Sequence, residues 1–204
     1  MNDTLPRVVL FDFGGVLLHL NDPAATFGLD WPAADFNRRW LESPSVRAHE
    51  SGRIDAHAFA SRIVRELSLP YSADEFLARF DRWPDCIPTH TAALVRRVVN
   101  GIDCAILSNT NRRHWSGFDI DGTFAGRIGR CFLSFETGLL KPDGDAFRQV
   151  IDACRLPAHA ILFLDDNPLN VVAAAQAGMR TRVCPGVHAL AGILREEGIV
   201  EHPA

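Results

Sequence analysis

The sequence predicts an α/β protein: a doubly wound, Rossmann-like parallel sheet with a helical cap inserted after its first strand. Three observations carry this. Short continuous apolar runs recur along the chain and stop at glycines or polar residues. Helical patterns separate the later runs. One long stretch after the first run carries helical spacings alone.

The first run, Arg7 to Phe11, stops at Asp12-Phe13-Gly14-Gly15. A short apolar run bounded by glycines suits a strand buried on both faces, as in a parallel sheet. Similar runs are Ile102 to Leu107, Cys131 to Leu133, Ala160 to Leu164 and Thr181 to Val183. Phe147, Val150, Ile151 and Cys154 fall on one helical face. Val171 to Ala177 reads as a helix closed by Gly178. Strand–helix–strand alternation implies right-handed parallel crossovers.

Residues 20–88 form the predicted cap, and residues 1–19 with 89–204 the core. In the cap, Trp31, Trp40, Phe59, Ile63, Leu67, Phe76, Phe80 and Trp83 sit on helical spacings. Ser72 and Glu75 have capping-box spacing. An insertion at the carboxyl end of a strand overhangs the place where open α/β sheets bind ligands, so it can act as a lid.

Composition narrows the function. With 204 residues, 47% hydrophobic and 23% charged, the chain reads as a globular protein of one domain or a little more, not as a disordered one. A net charge of −4 and no basic run argue against a nucleic-acid partner. No apolar stretch approaches the roughly 20 residues that span a bilayer, and Met1 to Pro6 lacks the features of a signal peptide. Five scattered cysteines, never in a C-x-x-C pair, argue against a disulfide scaffold or zinc site and for a reducing, cytoplasmic setting. Cys104 and Cys131 read as small core hydrophobes.

Three predicted strands end in polar residues: Asp12, Ser108-Asn109 and Asp165-Asp166. Each alone suits a cap or turn. If the strands are parallel neighbours, however, the three tips converge on one sheet edge. Crowded carboxylates repel and call for a cation. An oxygen-only donor set with few protein ligands suits Mg²⁺. Lys141, with Pro142 in the first turn of the next helix, brings a positive charge to a helix entrance, where anions are favoured. A cation, a lysine, a hydroxyl and free backbone donors describe a phosphate site. A carboxylate in line with the phosphate is then a nucleophile, giving an aspartyl-phosphate.

These residues resemble the haloacid dehalogenase-like hydrolases, in the phosphatase branch with a helical cap. The resemblance rests on Phe11-Asp12-Phe13-Gly14-Gly15-Val16-Leu17, Leu107-Ser108-Asn109-Thr110-Asn111, Lys141-Pro142-Asp143 and Phe163-Leu164-Asp165-Asp166-Asn167, in that order; Asn170-Val171, Ala174 and Gly178 also fit. Glu50-Ser51-Gly52-Arg53-Ile54 and Phe59 are similar to the cap of glucose-1-phosphate phosphatase-like proteins and of the N-terminal phosphatase domain of soluble epoxide hydrolases. The resemblance implies that Asp12 attacks phosphorus, that Ser108 and the Asn109 backbone hold phosphate oxygens, and that Lys141 neutralises charge. It implies Mg²⁺ bound by Asp12, the carbonyl of Gly14, Asp165 and Asp166, directly or through water. The expected activity is hydrolysis of a small, sugar phosphate-like phosphomonoester by a monomer or homodimer.

One position departs from the pattern. Most phosphatases of the family carry a second Asp two residues after the nucleophile, which protonates the leaving oxygen; here it is Gly14. That leaves three readings. The enzyme acts on esters with good leaving groups, or it borrows an acid from the cap, with His19 and His49 as candidates. It is a 2-haloacid dehalogenase, whose halide needs no proton. Or it is a catalytically weak binding protein. The pair Asp165-Asp166 favours a metal and a phosphate over a halide. Trp115 and Arg112-Arg113, just past the Ser108 loop, are further pocket candidates, with packing and solvation as their ordinary alternatives.

Overall fold

A computed structural model describes residues 5–200. Met1 to Thr4, within the stretch read for a signal peptide, lie outside the described residues. Five strands form one sheet: β1 (Val8–Phe11), β2 (Asp103–Ser108), β3 (Ile128–Leu133), β4 (Ile161–Asp165) and β5 (Arg180–Val183). Their order is β3-β2-β1-β4-β5, and every pairing is parallel. The chain winds from β1 through β2 to β3 on one side, then restarts on the other side at β4. The reversal lies between β1 and β4, so a crevice opens beyond the carboxyl ends of those two strands.

The register explains the apolar runs. Val8 and Leu10 join Ile161, Phe163, Phe147 and Val150 in a cluster on one face of the sheet. Val9 and Phe11 join Ile106, Leu162, Leu164 and Val95 on the other. Both faces are covered by helices, so neither residue parity can be polar. Cys104 is buried as expected, and Cys131 is partly buried against the same cluster.

Between β1 and β2 the chain is helical, with helices Pro23–Phe27, Ala33–Glu42, Pro44–Glu50, Ala56–Glu66 and Ala73–Phe80. They enclose an apolar cluster of their own, which contains Trp40, Phe59, Ile63, Phe76 and Phe80, with Trp31, Leu67 and Trp83 packed against it. The Ser72–Glu75 capping box forms: the Ser72 N–H donates to Glu75 Oε2 at 2.8 Å and the Glu75 N–H to Ser72 Oγ at 3.2 Å.

This helical insert is clamped to the sheet. Arg47 pairs with Asp143 at 2.7 Å, Arg113 grips Asp81 through two nitrogens, and the Phe80 carbonyl lies 2.9 Å from His114 Nε2. Gly52 presses on the short helix Ser134–Thr137 that follows β3: a Cβ there would lie 2.4 Å from the Phe135 carbonyl oxygen.

The structure corrects one local expectation. The helix after Lys141 runs Gly144–Cys154 with Asp143 as its N-cap, so Pro142 is not in its first turn. Leu140 to Asp143 instead form a tight turn, in which the Asp143 N–H donates to the Leu140 carbonyl at 2.8 Å and the Lys141–Pro142 peptide is cis. Lys141 is therefore placed by a turn rather than by a helix end. Among the described residues, no helix is long and apolar enough to cross a membrane.

Candidate active site

The strand tips meet as the sheet order requires. Asp12 follows β1 directly, Ser108 ends β2 with Asn109 next, and Asp165 ends β4 with Asp166 next. Asp12, Asp165 and Asp166 each offer an oxygen, and these oxygens all lie within 4.8 Å of one another. Asp12 and Asp165 are buried, at 8% and 0% exposure, whereas Asp166 is exposed.

Lys141 ties the centre together. Its Nζ lies 2.8 Å from Asp12 Oδ1 and 2.7 Å from Asp165 Oδ2, and the residue is only 4% exposed. Asp165 is further held by the Asn167 N–H at 2.8 Å and by Asn170 Nδ2 at 2.9 and 3.0 Å from its two oxygens. Both Asp165 oxygens are thus engaged by the protein, and the carboxylate acts as a fixed anchor for Lys141. Asp12 Oδ1 also accepts the Phe13 N–H at 2.6 Å.

Three carboxylates against one ammonium leave two negative charges uncompensated. Burial holds Asp12 well above the ordinary carboxylate range; Lys141 opposes this, and Asp165 and Asp166 add repulsion. Burial, and then Asp165, push Asp166 up to about 6. Burial works against the charge on Lys141, but Asp12 and Asp165 outweigh it and raise its pKa. A divalent cation would relieve this repulsion, and the donors present are all oxygen. The backbone makes room for it: Gly15 has φ +81°, and a Cβ there would lie 2.5 Å from Asp166 Oδ2. The residues present therefore fit a hard divalent ion such as Mg²⁺.

A cavity of about 610 Å³ opens above the centre. Its floor includes Asp12, Gly14, Asn109, Lys141 and Asp166, and its roof comes from the insert: Leu20, Trp40, Val46, Arg47, Glu50 and Trp83. A smaller cavity of about 90 Å³ shares Gly14, Leu20, Glu50, Trp83 and Asn109 with it, and this is where Ser108 lies. All seven residues singled out from the sequence, namely Asp12, Gly14, Ser108, Asn109, Lys141, Asp165 and Asp166, gather at this one edge.

The accessory candidates fare differently. His19 pairs with Asp85 at 3.2 Å on the surface. His49 stacks on Phe59 with ring centroids 4.5 Å apart and faces the Ile54 carbonyl, among neither cavity's lining residues. Trp115 packs edge-on against Phe13, and Arg113 is committed to Asp81. The sequence reading missed Glu50 and Arg47 as cavity residues. Their signal is the spacing of Val46, Arg47 and Glu50, which puts all three on one side of the helix Pro44–Glu50. Burial raises Glu50 to about 7, against a hydrogen bond from the Trp40 side chain and the charges of Lys141 and Arg47. The Trp83 indole N–H is buried without a hydrogen-bond partner.

Residues 6–178 match the family described as haloacid dehalogenase-like hydrolase. The chain belongs to that family, and its five-stranded parallel sheet with flanking helices is the family's Rossmann-like α/β core. It is 25% identical over 184 residues to the sesquiterpene phosphatase astK of Aspergillus oryzae, covering 85% of this chain and 87% of that protein. Its fold is similar to that of a HAD family enzyme of Bacteroides thetaiotaomicron, with a TM-score of 0.74, 22% identity, and 94% and 99% of the two chains covered. That enzyme has also been solved in complex with magnesium and inorganic phosphate (TM-score 0.67, 22% identity, coverage 86% and 92%). The L-2-haloacid dehalogenase RSc1362 is similar too, with a TM-score of 0.71, 17% identity, and coverage of 95% and 99%.

Proposed function

We propose that this hydrolase is a Mg²⁺-dependent phosphatase that cleaves a small phosphomonoester through a phosphorylated Asp12. The observation that carries the reading is the Asp12–Lys141–Asp165 chain, with Asp166 beside it, at the switch point of the sheet. Asp12 is the nucleophile, and Lys141 favours its ionised form and neutralises an incoming phosphoryl oxygen. Asp12, Asp166 and the Gly14 carbonyl would hold the metal, while Asp165, with both oxygens already engaged by Lys141, Asn167 and Asn170, would add its charge beside it. Mg²⁺ supplies charge neutralisation for the phosphoryl group. Ser108 and the Asn109 backbone hold phosphate oxygens.

The insert, residues 20–88, serves as a cap that roofs the cavity and excludes water. Leu20, Trp40, Leu41, Val46, Trp83 and Leu169 give that cavity a largely apolar wall. Such a wall favours an ester whose alcohol carries apolar surface over a bare sugar phosphate. The likeness to a sesquiterpene phosphatase supports the same direction.

The dehalogenase reading has Gly14 and the structural likeness to a haloacid dehalogenase on its side. Against it stands the charge count: an acidic pair beside a carboxylate nucleophile serves no purpose in displacing a halide. A panel of sugar 1-phosphates, aryl phosphates and prenyl phosphates, run with Mg²⁺ and with EDTA beside 2-chloropropionate, separates the two. Phosphate release that needs Mg²⁺ supports the phosphatase; halide release indifferent to EDTA overturns it.

A further inference from the structure

The proton that Gly14 cannot supply has another source on the cavity wall. Glu50 ends the helix Pro44–Glu50 and is the one titratable residue of the insert that lines both cavities, the larger with Asp12, Lys141 and Asp166 and the smaller with Gly14, Ser108 and Asn109. The other candidates are spent. Glu42 is exposed and pairs with Arg38 at 3.6 Å. Asp143 is held by Arg47. The insert's histidines at positions 49 and 57 line neither cavity. His114, at the smaller cavity, commits its Nε2–H to the Phe80 carbonyl at 2.9 Å, and burial, which lowers it to about 4, disfavours a second proton.

The floor offers no donor at Gly14, which has no side chain, although a Cβ there would make only an ordinary contact with Leu20 Cδ1 at 3.4 Å. The acid must come from the roof.

We propose that Glu50 is the general acid and base of this phosphatase, a catalytic residue carried by the insert in place of the missing Asp. The inference rests on the phosphatase reading above. In the first step an Asp12 oxygen bonds to phosphorus and the ester P–O bond breaks. The electron pair stays on the leaving oxygen, which takes the Glu50 proton and departs as a neutral alcohol. In the second step the Glu50 carboxylate takes a proton from water. The hydroxyl oxygen bonds to phosphorus, the Asp12–phosphorus bond breaks, and its pair returns to the Asp12 carboxylate as inorganic phosphate leaves. Glu50 ends protonated, ready for the next turnover. Its surroundings suit both states: burial disfavours a lone charge, while the Trp40 side-chain hydrogen bond, Lys141 and Arg47 limit the cost of the anion. A carboxyl held near neutrality is what general acid catalysis needs at ordinary pH.

The test is the dependence of kcat on leaving-group pKa, in Glu50→Gln against wild type, with Mg²⁺ and a series running from acetyl phosphate and p-nitrophenyl phosphate to phenyl and alkyl phosphates. Expected is a loss of about 10²-fold or more for alkyl phosphates, with a far smaller loss for acetyl phosphate, which needs no proton to leave. In the Glu50→Gln background, Gly14→Asp should return part of the alkyl phosphate activity. A loss equal across the series, or no loss, overturns the role of Glu50 while leaving the phosphatase reading standing. A wild-type enzyme inert on every ester in the series overturns both.

Discussion

Asn109 and Lys141 hold each other by two hydrogen bonds of 2.9 Å: Asn109 Nδ2 donates to the Lys141 carbonyl, and the Lys141 N–H donates to Asn109 Oδ1. The side-chain amide at the tip of β2 thereby fixes the turn that carries the lysine. Lys141 reaches both Asp12 and Asp165 only because its backbone is pinned there. Asn109→Ala should cost about 1–3 kcal/mol of stability, since two buried backbone groups lose their partners. It should also lower kcat on a phosphomonoester by at least tenfold. Urea denaturation and steady-state kinetics on the same preparation check both.

Lys141→Met should destabilise more. Removing the ammonium leaves two buried carboxylates facing each other, and breaking a buried pair costs about 3–5 kcal/mol. Mg²⁺ should then raise the melting temperature of Lys141→Met by more than it raises that of wild type. Thermal denaturation with Mg²⁺ and with EDTA measures this, and Asp166→Ala should lose the Mg²⁺ effect.

Adjacent glycines should respond in opposite ways. At Gly15 a Cβ would lie 2.5 Å from Asp166 Oδ2 in a left-handed backbone conformation, so Gly15→Ala should displace Asp166 and weaken Mg²⁺ activation by tenfold or more. At Gly14 the same atom meets only Leu20, at an ordinary 3.4 Å, so Gly14→Ala should bind Mg²⁺ as wild type does. Activity titrated against Mg²⁺ distinguishes the two.

Acid should loosen the junction between insert and core. Burial lowers His114 from 6.5 to about 4. A histidine whose folded pKa is depressed favours folding while it is neutral. Its stability contribution is complete above the unfolded value of 6.5 and is lost as pH falls toward 4, by about 3 kcal/mol in all. His114→Asn should flatten the pH dependence of the denaturation midpoint between pH 6.5 and 4.

What the sequence made legible follows from burial. β1, β2 and β4 are covered on both faces, so they stand out as unbroken apolar runs. β3 was read only from Cys131 onward because Gly129 and Arg130 are exposed. The acidic centre was legible because parallel strands bring their carboxyl ends to one edge without further information. Glu50 was not. Its place depends on how the insert settles on the sheet, through Gly52 against Phe135, Arg47 with Asp143 and Arg113 with Asp81. Each of those contacts joins residues distant along the chain, and no local pattern announces them. Lys141 reaches the acidic centre by a turn and not by the expected helix entrance, because a turn around Pro142 and a helix beginning at Pro142 look alike in one dimension.

The most direct measurement is a rapid acid quench of the protein with Mg²⁺ and a ³²P-labelled phosphomonoester that it turns over. The expected result is label bound covalently to the protein, released by hydroxylamine as an acyl phosphate would be, and absent from Asp12→Asn. Turnover of the same ester with no labelled protein at any time, or undiminished labelling of Asp12→Asn, would contradict a phosphorylated Asp12.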